Sequence, residues 1–240
     1  MNSVSEKIKV DRRDGKLGMA HFYVAFIALA VGGMAGLLQV LVRSGKFQLP
    51  AGIGYYQILT VHGVVLGLVL TTFFIIGFQI VAVSRTSGTL TNKQRLAGWT
   101  GFWIMTAGTI MAAVMILLNE ASVLYTFYAP LQAHALYYLG LTLVIVGSWV
   151  DGSVIIMAYA AWRKKNPGKP SPLLTFMSLV NTLMWIIATI GVASTVLFQL
   201  LPWSLGLVET VDVAISRTLF WYFGHPWFIS GCCQLIWHGM

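Results

Sequence analysis

Six long apolar runs fix what this chain can become. They cover residues 22–42, 55–83, 96–118, 133–162, 174–201 and 213 onward. Each exceeds the about 20 residues that a helix needs to cross a hydrocarbon core. A transmembrane barrel would instead show shorter segments of alternating polarity. The composition agrees, with 58% hydrophobic and only 9% charged residues and a mean hydropathy of +0.79. Soluble domains do not have that balance. The expected fold is all-α, a polytopic transmembrane helix bundle of about six spans. It forms a single membrane domain over residues 1–240, with a polar cytoplasmic tail at 1–18.

The net charge of +8 would suggest nucleic acid in a soluble protein. Here the basic residues sit in short connections between apolar runs, so they report topology instead. Lys7, Lys9, Arg12, Arg13, Lys16, Arg85, Lys93, Arg95, Arg163, Lys164, Lys165 and Lys169 fall on one side, twelve of the 15. The other side carries Arg43, Lys46 and Arg217 with Glu120, Glu209 and Asp212. That predicts a multi-pass protein with a cytoplasmic N-terminus, a lipid bilayer as its partner and no nucleic acid. The first 18 residues have no apolar centre and are no cleavable signal peptide. Cys232 and Cys233 are adjacent and offer no disulfide framework.

Two histidines stand inside the apolar runs. His225 ends Thr218-Leu-Phe-Trp-Tyr-Phe-Gly-His-Pro226, and His62 lies in Tyr55-Tyr-Gln-Ile-Leu-Thr-Val-His-Gly63. An imidazole in a membrane interior must bind a ligand, pair with a neighbour or carry a desolvation cost. With the N-terminus inside, both lie in the outer half of the bilayer, ~10 and ~18 Å below its boundary, where one composite site could use both. The alternative for His62 is a hydrogen bond across a helix interface, with Gln57 and Thr60 one turn away and Gly63 and Gly67 leaving room for a planar ligand or a close helix. The alternative for His225 is a helix bend at Pro226 inside an aromatic belt. Asp151 lies within the fourth run, as part of a proton path or as a hydrogen-bonded structural carboxyl. His134 belongs at the membrane interface, and His21 and His238 receive no role. No phosphate loop, dinucleotide fingerprint or HExxH occurs.

Three stretches together resemble subunit I of the haem–copper terminal oxidases, in the B-family (ba-type) branch. They are Tyr56-x-x-Leu59-Thr60-x-His62-Gly63, then Asn119-Glu-Ala-Ser-Val-Leu-Tyr-Thr-Phe-Tyr-Ala-Pro-Leu131, then Leu201-Pro-Trp-Ser-Leu-Gly-Leu-Val-Glu209 continuing to Arg217–Pro226. The resemblance covers oxidase-like spans over 22–226, as the first half of a fold of about twelve helices. It implies a cytochrome c oxidase catalytic subunit of the aerobic respiratory chain, reducing O2 to water with proton pumping. His62 would be an axial ligand of low-spin haem b, and His225 a ligand of copper B facing a high-spin haem. The implied partners are an oxidase subunit II with a dinuclear copper centre and cytochrome c or a similar donor, in the plasma (inner) membrane of a prokaryote. Neutral imidazole suits both metals.

The departures are specific. The remaining copper and haem ligands of the family lie in the half this chain lacks, so the chain alone is expected to be inactive. The family's tyrosine four residues after the first copper histidine is replaced by Ile229. The tail at 227–240 is atypical, and one nucleotide restored before it gives Val-Tyr-Phe-Trp-Leu, as the family would continue; a frame-shift is expected there. The other classes in play are a nitric oxide reductase-like haem–copper subunit and a non-enzymatic six-helix transporter or assembly protein.

Overall fold

The computed structural model describes residues 10–237, with side chains as far as residue 226. Six long helices follow one another: α1 (Arg12–Arg43), α2 (Tyr55–Ser87), α3 (Asn92–Leu117), α4 (Ala135–Lys165), α5 (Leu173–Ser204) and α6 (Val213–Trp237). Among the described residues there is no strand. The first five are long and apolar enough to cross a membrane, and α6 is helical over 25 residues. The expectations about the side chains of Ile229, Cys232, Cys233 and His238 lie outside the described residues.

The helices outrun their apolar segments toward the basic side. α1 starts at Arg12, inside the stretch expected to be a polar tail, because its polar first turn has partners. Asp11 caps it by accepting from the Arg13 backbone N–H at 2.7 Å. Asp14 is fully buried. It accepts from the Ser84 hydroxyl at 2.6 Å, the Leu90 N–H at 3.0 Å and Arg95 Nε at 2.6 Å. A buried carboxylate with an arginine and two further donors is satisfied, and it docks the foot of α1 on the α2–α3 connection. Thr91 and Gln94 form a capping box that starts α3 beside it.

Small residues set the closest helix pair. Gly101, Gly108 and Ala112 of α3 face Gly140 and Gly147 of α4, so the two backbones meet directly. A Cβ on Gly140 would lie 2.7 Å from the Gly108 carbonyl and 2.8 Å from the Ala112 nitrogen. The apolar interior divides in two along the bundle. One cluster, around Leu17, Phe73, Ile80, Phe102 and Met105, joins α1 to α4 near the basic side. The other, around Val64, Ile116, Phe127, Tyr138, Trp185 and Phe220, joins α2 to α6 with the α3–α4 connection. Two π-helical turns interrupt the long helices, Val65–Leu70 in α2 and Val196–Leu200 in α5. The first follows His62 by three residues; such turns recur at functional positions.

Candidate functional site

His62 is seated on α1. Its Nδ1 donates to the Gly32 carbonyl at 2.8 Å. A Cβ on Gly36 would lie 2.7 Å from Cε1 and 2.8 Å from Nδ1 of the ring. Only glycine at 36 leaves that seat open. The backbone bond fixes the tautomer, with the proton on Nδ1 and the lone pair on Nε2. The ring remains half-buried.

The polar neighbours expected to support His62 serve other groups. Gln57 closes the start of α2 by accepting from the Gly54 N–H at 3.2 Å. Its amide donates to the carbonyls of Ile116 and Leu117, at 2.8 and 2.9 Å, the frayed end of α3. Thr60 donates to the Tyr56 carbonyl and accepts from the Leu124 N–H at 2.9 Å. Gly63 lets the α3–α4 connection approach α2 closely. A Cβ there would lie 2.7 Å from Cβ of Tyr125, in the α3–α4 connection.

That connection is the second of the three sequence stretches, and it joins the other two. Asn119, Leu124 and Phe127 hold positive φ, at 62°, 65° and 37°. Strain of this kind in non-glycine residues persists where surrounding contacts over-determine the backbone. Phe127 meets Phe220 of α6 edge-on at 5.2 Å, and Tyr128 meets the same ring at 5.3 Å. Arg217 lies 5.2 Å over the Tyr128 ring. An apolar cavity of about 30 Å³ remains between Gly63, Gly67, Tyr125, Phe127, Phe220 and Phe223.

His225 lies on the open side of α6. It is exposed, and its ring makes no hydrogen bond to any described residue. With Trp221, Tyr222 and Pro226 it lines a groove of about 540 Å³ against Val180, Met184 and Ile187 of α5. Pro226 stands inside α6. The structure therefore does not bring His62 and His225 into one composite site. One ring is turned onto α1 and the other onto the α5–α6 groove. Among the described residues no cluster of three or more His, Cys, Asp or Glu side chains could hold a metal by itself.

His134 is the N-cap of α4, accepting from the Leu136 N–H at 3.2 Å. Asp151 is fully buried and has a partner that sequence reasoning left without a role, His21, at 3.3 Å. The signal was present in α1. Asp14, Leu17, Gly18, His21, Ala25, Ala28, Gly32 and Ala35 recur at helical spacing and form its buried face.

This is a polytopic helical membrane protein whose motif residues converge on one connection. A family profile described as cytochrome C and quinol oxidase polypeptide I matches residues 16–233, and the chain belongs to that family. It is 39% identical over 210 residues to the cytochrome c oxidase subunit 1 of Thermus thermophilus, a match covering 85% of this chain and 37% of that protein. A haem–copper terminal oxidase dimer solved by cryo-EM superimposes with a TM-score of 0.86 at 39% identity, over 92% of this chain and 38% of that one. The chain thus spans well under half the length of these relatives, less than the half expected from the motifs.

Proposed function

We propose that this chain is the leading part of a terminal oxidase catalytic subunit. His62 would hold the iron of a low-spin haem b, and His225 would be one of the residues that hold copper B, with a high-spin haem completing the oxygen-reducing centre. When bound, the haems and copper supply the electron chemistry that reduces O2 to water. This chain's residues hold and orient the ligands. The observation that carries the reading is that the Nδ1–H bond from His62 to the Gly32 carbonyl, a cross-helix bond that a structural histidine would also make, leaves the Nε2 lone pair for a metal. Metal-ligating histidines characteristically donate their other ring nitrogen to a fixed acceptor, which sets the tautomer and the ring plane.

His225 fits a different requirement. A copper ligand shared with residues outside this chain must face outward, and His225 does so across the α5–α6 groove. The remaining ligands come from the part of the subunit that this chain does not span. A oxidase subunit II with a dinuclear copper centre and cytochrome c or a similar donor complete the electron path. The membrane is the plasma membrane of a prokaryote, and the N-terminus is cytoplasmic. Basic residues crowd the α1 start, the α2–α3 connection and the α4–α5 connection, which supports that orientation. The single membrane domain of oxidase-like spans over 22–226, the inactivity of the chain alone and the frame-shifted tail at 227–240 belong to the same proposal.

The test is to sequence the gene from the codons of α6 onward and to assay haem in membranes that carry its product. Restoration of Val-Tyr-Phe-Trp-Leu, the missing histidines downstream and a haem spectrum lost in His62→Ala support the proposal. Membranes without haem, whatever the frame, return His62 and His225 to structural roles and favour the transporter or assembly class. A restored frame lacking a tyrosine four residues after His225 favours the nitric oxide reductase class.

A further inference from the structure

His21 of α1 and Asp151 of α4 are both fully buried. Nδ1 of His21 is 2.9 Å from the Leu17 carbonyl, and Nε2 is 3.3 Å from Oδ2 of Asp151. A carbonyl can only accept, so Nδ1 carries a proton. The Nε2–Oδ2 contact then decides the state of the pair. With no proton between them, the ring lone pair faces a carboxylate and the contact is repulsive. With one proton, the pair is either imidazolium with carboxylate or imidazole with carboxylic acid. Both arrangements are neutral overall.

The surroundings favour that neutral count. Phe73 and Phe102 flank the imidazole, at ring distances of 5.8 and 5.0 Å. α2 also contributes Gly77 there and α3 contributes Gly98 and Gly101, and among the described residues no other titratable side chain is bonded to either group. Toward the basic side, Asp14 and Arg95 are bonded to each other at 2.6 Å. Asp14 stands two turns from His21 along α1, about 10 Å away. A lone carboxylate in this apolar box would be costly. Space for the carboxyl is reserved: a Cβ on Gly101 would lie 2.6 Å from its carbon and 2.7 Å from each oxygen. Oδ1 has no hydrogen-bond partner among the described residues.

We propose that His21 and Asp151 form a one-proton site, in which a single proton shared between Nε2 and Oδ2 is held inside the bundle and clamps α1 to α4. The site depends on neither haem nor copper. It ties α1, which carries the Asp14 anchor, to α4, which packs on the glycine face of α3.

The full chain in lipid bilayers, labelled with nitrogen-15 histidine, tests this by solid-state NMR. Infrared spectra of the Asp151 carboxyl are read alongside, from about pH 6 to about pH 8, either side of the ordinary imidazole value. The expected result is a protonated Nδ1 throughout and one proton between the two groups. That is a charged ring with an ionised carboxylate, or a neutral ring with a carboxylic acid. A neutral ring beside an ionised carboxylate, a charged ring beside a carboxylic acid, or an unprotonated Nδ1 overturns the proposal. Accumulation of variants gives an independent readout. His21→Leu and Asp151→Leu each lower the membrane-inserted level several-fold, and the double variant recovers toward the parent. A double variant no better than the worse single also overturns it.

Discussion

The surroundings of His62 and His225 differ in how much of each is built from this chain. His62 has a fixed tautomer, a carbonyl partner in Gly32 and a ring-shaped gap at Gly36. His225 has one wall, the α5–α6 groove, and an open side. A finished seat orients a ligand before anything binds, whereas an open one waits for neighbours. The difference teaches that two proposed ligands in one chain need not be equally preorganised. Second-partner bonds, not burial, mark the finished one.

The strongest break of this comparison is removal of each ring in the gene's product. His62→Ala is expected to abolish nearly all low-spin haem in reduced-minus-oxidised spectra of the membranes. His225→Ala should leave that band close to the parent and deplete copper. Equal haem loss from both variants would mean that the two seats are not independent.

A subtler break leaves both histidines in place. Gly36→Val puts a branched side chain where the ring stands and should lose most of the haem that His62→Ala loses. Ile187→Val, on the wall of the groove, should change haem and copper content by less than about twofold, because that side chain is exposed there. Haem content of purified membranes decides this; a Gly36→Val protein with normal haem would show the seat to be incidental.

Thr60→Val probes the strap between the two regions. It keeps the shape of the side chain but leaves the Leu124 N–H without its acceptor, at a cost of about 1–3 kcal/mol. Thermal unfolding in detergent should register a lower Tm, with haem affinity affected less than by Gly36→Val. An unchanged Tm would show that another acceptor replaces the hydroxyl.

The spans were legible because a bilayer allows few alternatives to an apolar helix. The order of the three motif stretches was legible as well, and the fold places all three around the α3–α4 connection. What escaped reading was partnership. Gln57 and Thr60 are near His62 in sequence, but spacings of five and two put neither beside it on the helix, and their bonds go to the end of α3 and to Leu124. The cross-helix bond weighed as the alternative for His62 is present, and only its acceptor escaped, because a backbone carbonyl is advertised by no side chain. His21 was read as a flank because the apolar run begins at residue 22. The helix begins at Arg12, stabilised by the buried Asp14, which places His21 more than two turns inside it. Buried polar residues at seven-residue spacing on α1 were the available signal.

The smallest effect tests the far end of the same strap, where Arg217 of α6 lies over Tyr128. Burial raises the Tyr128 hydroxyl above its ordinary value of 10.0, and the positive charge of Arg217 opposes the rise. The folded state therefore holds the phenolic proton more tightly than the unfolded chain does. Its stability is intact below the unfolded value and falls as pH rises through the raised folded one. Tyr128→Phe keeps a ring under Arg217 and should flatten that alkaline loss, measured as the difference in Tm between about pH 8 and about pH 11. Arg217→Gln removes the cation–π contact, costing about 0.5–1 kcal/mol at neutral pH. It also removes the charge that restrains the hydroxyl, so its alkaline loss should steepen. Opposite slopes in the two variants would locate the alkaline sensitivity at this contact; parallel slopes would assign it to another tyrosine.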